Sequence, residues 1–105
     1  MIFIETSIFT REVQQLLPDD SYRELQQALV VRPTSGSIIP DSGGLRKIRC
    51  TLPGTGKRGG GRIIYYWDVP EDTIYMLLIY KKSKQKDLTQ NQLNFLSKLM
   101  KEWLQ

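Results

Sequence analysis

The chain has 105 residues, 40% of them hydrophobic and 25% charged, which fits a single folded domain over residues 1–105 and argues against disorder. One cysteine and no histidine exclude an internal disulfide, a thiolate metal cage and every imidazole-based mechanism. No run approaches the ~20 apolar residues of a membrane span, and no leader-like start is seen, so a cytoplasmic protein with no membrane partner, metal or cofactor is expected.

The net charge of +4 is unevenly spread: residues 1–44 carry three cations against six acids, residues 45–105 twelve against five. Six cations and no acid lie between Arg46 and Arg62. Such a one-signed run fits a polyanion binder, and it equally fits a solvated face that keeps the chain soluble.

In chain order, residues 2–5 read as a short strand entering the core. Thr6 and Ser7 offer caps for a helix to about residue 17 with Phe9, Val13, Leu16 and Leu17 on one face. Pro18 breaks it. Ser21 and Glu24 have capping-box spacing and predict the start of a second helix with Tyr22, Leu25, Ala28 and Leu29 on one face, ended by Pro33. Residues 34–44, rich in Ser, Gly and Pro, predict a loop with an apolar contact at Ile38 and Ile39.

The period then changes to two. Over residues 45–52 Ile48, Cys50 and Leu52 point one way, Lys47, Arg49 and Thr51 the other, as in a half-buried strand with cations on its open face. A loop over 53–61 leads to a strand over 62–68, where Tyr65 and Trp67 share one face and Tyr66 takes the other. Residues 73–80 are almost continuously apolar, as expected of a central strand covered on both faces. After the basic stretch 81–86, Thr89 and Gln92 form a second capping box opening a helix to about residue 104. The order β-α-α-β-β-β-α predicts an α+β fold: a small, antiparallel-dominated sheet with an N-terminal helical hairpin and a C-terminal helix.

Gly54-Thr55-Gly56-Lys57-Arg58-Gly59 spells G-x-G-x-x-G. The dinucleotide fingerprint must open a helix, however, and this stretch runs into a strand; as a P-loop it lacks the leading glycine and has Arg58 where a Ser or Thr would hold magnesium. Its mechanical reading is a bulk-free loop whose amides, with Lys57 and Arg58, can approach a phosphodiester backbone; the bland reading is a long hairpin loop with solvated cations. Lys47 and Arg49 before it, Arg62 after it and the lysines of 81–86 converge on one patch if their strands are neighbours. Most of the aromatics read as core. Tyr80, beside Lys81 and Lys82, is the one whose ring is expected to stack on a base and whose hydroxyl is expected to move a proton.

RNA carries its own nucleophile, the 2′-hydroxyl. A catalyst needs to deprotonate it, stabilise charge on phosphorus and protonate the leaving 5′-oxygen, and clustered cations serve the second task without a metal. Such cations also depress one another's pKa, which makes a lysine among them a candidate acid or base.

Residues 44–49 (GLRKIR), 56–66 (GKRGGGRIIYY), 79–83 (IYKKS) and 87–89 (DLT) resemble, in that order, the HigB branch of the RelE/ParE-like toxins of type II toxin–antitoxin systems. The resemblance implies a RelE-like fold and a ribosome-dependent endoribonuclease (an mRNA interferase) that cleaves translated messenger RNA and inhibits translation. It also implies an antitoxin partner with a helix-turn-helix DNA-binding domain, through which alone operator DNA is engaged. Arg62 matches the family's phosphate-binding arginine, and Lys47 and Arg49 its pair of basic strand residues. Ser83 and Thr89 stand near positions where relatives carry Arg and a catalytic Tyr, a departure that Tyr80, Lys82 or Lys84 would have to cover. The expected catalytic set is therefore Arg62, Lys47, Arg49, Tyr80 and Lys82, with Lys57, Arg58, Lys81, Lys84 and Arg46 binding RNA. The alternatives are a ParE-like gyrase inhibitor and a non-catalytic RNA- or DNA-binding module.

Overall fold

In the computed structural model, which describes residues 1–54 and 60–105, the elements run β1 (Ile2–Glu5), α1 (Ser7–Leu16), α2 (Asp19–Val31), β2 (Ser37–Ile38), β3 (Arg46–Cys50), β4 (Gly61–Asp68), β5 (Thr73–Lys81) and α3 (Gln90–Trp103). The expected α+β order is found with one addition: inside the anticipated 34–44 loop, β2 adds two residues to the sheet, pairing Ser37 with Lys47 and Ile38 with Arg46. The sheet order is β1-β5-β4-β3-β2. All neighbours are antiparallel except β1 and β5, which run parallel.

Capping explains where two helices start. The Thr6 hydroxyl accepts the Phe9 N–H at 3.0 Å, and Thr89 with Gln92 forms the full reciprocal capping box of α3. The expected box at Ser21 and Glu24 is not formed. Helix α2 begins three residues earlier, with Pro18 instead of Ser21 at its N-cap and no side-chain cap bond. Pro18 presets an entry angle, and Asp19 and Asp20 place negative charge against the positive helix end, which replaces the cap.

Each face of the sheet has its own core. The helical hairpin covers one face, where Phe9, Val13, Leu17 and Leu29 pack on Ile63, Tyr65, Ile74, Met76 and Ile79. Helix α3 covers part of the other, where Leu96 and Met100 meet Leu45, Ile64, Leu77 and Tyr80. The near-continuous apolar character of β5 follows from this, since it is central and covered on both sides. Burying each large aliphatic side chain here contributes roughly 1.5–3 kcal/mol.

A bulge decides which side chains meet. Ile64 pairs with Leu78 but Tyr65 pairs with Met76, so Leu77 is one residue too many on β5. Leu77 and Leu78 consequently both turn to the α3 face, while Met76 and Ile79 both turn to the hairpin face. Without the extra residue Tyr80 would continue the phase of Ile74 and Met76 and lie under the hairpin.

Candidate nucleic-acid interface

The site grows from the alternation of three strands. On β4, Arg62 shares a face with Ile64 and Tyr66, the α3 face. On β3, Lys47 lies opposite Ile64 and Arg49 opposite Arg62. On β5, beyond the bulge, Tyr80 lies opposite Arg62. Arg49, Arg62 and Tyr80 therefore form one row across the sheet, with Lys47 one step behind. Helix α3 leaves this end of the face uncovered, and a cleft of about 540 Å³ opens there, lined by Lys47, Arg49, Arg62, Lys82, Lys86 and Ser37 among others.

Two guanidinium groups directly opposed across a strand pair repel each other and destabilise the sheet. No carboxylate is ion-paired with either Arg49 or Arg62 among the described residues; Arg62 Nη1 donates only to the adjacent Gly61 carbonyl, at 2.9 Å. The one carboxylate at the cluster is Asp87, whose Oδ1 stands 3.2 Å from Lys47 Nζ. The Leu88 N–H it accepts is the main cause holding its carboxyl below the usual aspartate range; burial opposes this, and Lys47 and Arg62 each add a smaller lowering. An anion is what this row of cations lacks.

The backbone entering β4 is tightly constrained. Gly60 has φ +60°, and a Cβ there would lie 2.7 Å from the Cys50 carbonyl oxygen. Its own carbonyl accepts the Lys82 N–H at 3.1 Å, so it ties the starts of β4 and of the 81–86 segment together around Arg62.

The structure brings together Lys47, Arg49, Arg62 and Lys82, four of the five expected catalytic residues, and adds Lys86 and Asp87, which sequence reasoning left out of the site. Arg46 lies elsewhere. One residue out of phase with Lys47, it points to the hairpin side and donates to the Gly36 carbonyl at 2.8 Å, holding the chain before β2. Lys81 and Lys84 line a different cleft. Lys57 and Arg58 lie outside the described residues.

Tyr80 corrects an expectation. The residue is only 7% exposed and packs among the α3-face core residues, so its ring presents no open face to a base. Its hydroxyl is buried with no hydrogen-bond partner among the described residues. Burial, and next the charge of Asp87, raise its pKa, with Arg62 opposing them, so it stays a neutral phenol. Cys50 is no nucleophile for this cleft, because burial pushes its thiol up to about 11. Among the described residues no group of three His, Cys, Asp or Glu side chains comes together as a metal site, and no helix is long and apolar enough to cross a membrane.

No family model matches the chain. Among solved structures, the free state of a doubly substituted mutant of the E. coli toxin RelE matches with a TM-score of 0.56 at 15% identity, over 81% of this chain and 86% of that one. The fold is RelE-like. At this identity the likeness concerns the path of the backbone, and the side chains of the cleft have to be judged on their own chemistry. Within the RelE-like fold, that chemistry is a cationic groove on an open sheet face.

Proposed function

We propose that this chain is the toxin of a type II toxin–antitoxin system, of the HigB branch, and that it acts as a metal-independent, ribosome-dependent endoribonuclease on translated messenger RNA. The observation that carries the reading is the in-register pair Arg49 and Arg62, set side by side on an uncovered face with Lys47 and Lys82 lining the same cleft. A phosphodiester seated there would be met by cations on several sides. As the 2′-hydroxyl attacks phosphorus, two negative charges gather on the non-bridging oxygens, and preorganised donors aimed at them act at the point of greatest need. Arg62 is the principal phosphate-binding group and Arg49 its partner; Lys47 and Lys82 complete the charge. Tyr80 enters as a buried neighbour of Arg62 and does not touch RNA. The proposed partners are a helix-turn-helix antitoxin and the ribosome.

The test is inducible expression followed by primer extension to map RNA 5′ ends. Cuts confined to translated frames, lost in Arg62→Ala with the circular dichroism spectrum unchanged, are the expected result. Growth arrest with intact messenger RNA and blocked supercoiling would instead indicate a gyrase inhibitor. A harmless protein, or a fully toxic Arg62→Ala variant, would remove the proposal or its site.

A further inference from the structure

Residues 81–86 carry four lysines, and the fold divides them. Lys82 and Lys86 face the cleft described above. Lys81 and Lys84 line a second, open cleft of about 400 Å³ on the other side of the same segment, walled on one side by α1. The segment between is a fixed turn, since the Lys81 carbonyl accepts the N–H groups of both Lys84 and Gln85 at 3.1 Å. Lys81 and Lys82 are one Cα step apart, about 3.8 Å, so the two clefts share a rim.

The second cleft combines three kinds of surface. Leu16 and Ile79 supply apolar wall, Lys81 and Lys84 supply positive charge, and Glu12 and Gln85 supply oxygen acceptors, with the Gln15 amide, a donor as well as an acceptor, beside them. Gln85 is committed in one direction: its Nε2 donates to the Asp87 carbonyl at 2.9 Å and to Gln92 Oε1 at 2.5 Å. Both amide hydrogens are thereby used and only its oxygen remains. Glu12 repels a phosphate, which assigns the phosphate to the lysine end. At the acceptor end a ligand needs hydrogen-bond donors, as on the exocyclic amino groups of cytosine, adenine and guanine; uracil offers only its N3–H, set between two carbonyl oxygens that the Glu12 carboxylate repels.

Building on the RNA reading of the first cleft, we propose that this second cleft is a subsite for the neighbouring nucleotide of the same strand. Its phosphate lies on Lys81 and Lys84, and its base, one bearing an amino group, lies against Glu12 and Gln85. One strand crossing the 81–86 turn then occupies both clefts.

Fluorescence anisotropy with labelled pentacytidylate and pentauridylate tests this, measured over a range of salt for wild type, K81A/K84A, E12Q, R62A and, as a control for overall charge, K98A/K101A on the exposed side of α3. K81A/K84A is expected to lower the slope of log affinity against log salt by about 0.7, the value for the one phosphate that the two lysines neutralise. The control pair is expected to leave the slope unchanged, and E12Q to reduce the preference for pentacytidylate over pentauridylate. The proposal is overturned if K81A/K84A keeps the wild-type slope, if the control pair shifts it equally, or if wild type binds the two probes alike. In those cases weaker binding by R62A leaves the first cleft standing. If wild type binds neither probe and R62A behaves identically, the RNA reading falls as well.

Discussion

Lys47 and Asp87, forty residues apart in sequence, meet at 3.2 Å between Nζ and Oδ1 at the edge of the cationic cleft. Asp87 is also the hinge between the basic segment and α3, because its carboxylate accepts the Leu88 N–H at 2.8 Å and its carbonyl accepts from Gln85. If the proposed RNA reading holds, an RNA phosphate and Asp87 compete for Lys47. Replacing Asp87 with Asn should tighten RNA binding by up to about fivefold, the ~1 kcal/mol ceiling of an exposed ion pair, and steepen its salt dependence. Anisotropy titrations at two salt concentrations check this, and weaker binding would mean that Asp87 positions Lys47 instead of competing for it.

The same pair has a pH signature. The Asp87 pKa is lower in the folded chain than in the unfolded one, so its contribution to stability is present above the ordinary aspartate range and is lost as pH falls through the depressed folded value. A carboxylate-detected NMR titration should place the Asp87 midpoint below the ordinary aspartate range. Asp87→Asn should abolish the corresponding part of the acid-side loss of stability.

Arg49 and Arg62 face each other in register, an arrangement that costs stability unless an anion lies between them. Arg62→Gln should therefore leave the melting temperature unchanged or raise stability by up to about 1 kcal/mol, while RNA binding and cleavage drop. Inorganic phosphate should stabilise the wild type more than the variant. Differential scanning fluorimetry with and without phosphate reads both effects; a clear loss of stability in Arg62→Gln would give the arginine a structural role.

Tyr80 buries a hydroxyl that has no hydrogen-bond partner among the described residues. Such a group is costly, so Tyr80→Phe should be neutral or stabilising by about 1 kcal/mol, a rise of roughly 4–8 °C in a domain of this size. Its effect on cleavage should stay within about threefold, against the roughly 10²–10⁴-fold contribution of a group that transfers a proton in the transition state. A loss in that larger range would return the hydroxyl to the reaction.

Gly60 combines a positive φ with a Cβ position 2.7 Å from the Cys50 carbonyl oxygen. Gly60→Ala should destabilise the fold by roughly 1–3 kcal/mol and weaken RNA binding, because the backbone that sets Arg62 must shift. Thermal melts and anisotropy on one preparation check both; an unaffected RNA affinity would separate the glycine from the site.

Much of the site was legible along the chain because alternation is local. Over β3 and β4 the residue two positions away shares a face whatever the strand is paired with, so Lys47, Arg49 and Arg62 separate from Ile48, Cys50 and Ile63 by counting alone. The expectation that Arg46 binds RNA ran against that count: one position from Lys47, it lies on the opposite face. Caps behave likewise: the Thr89 and Gln92 box is written within four residues. The Ser21 and Glu24 spacing had the same signature and failed, because Pro18, Asp19 and Asp20 just upstream started the helix first.

Which residues are cationic, and which side of their own strand they occupy, are properties of neighbours in the chain and could be read from it directly. Tertiary structure alone decided which strands lie side by side and in what register, because those depend on burial shared between distant segments. The extra Leu77 opposite Ile64 and Tyr65 turns Tyr80 toward Arg62. The docking of α3 buries the Tyr80 ring and brings Asp87 to Lys47. The 81–86 turn sends Lys82 and Lys86 to one cleft and Lys81 and Lys84 to the other.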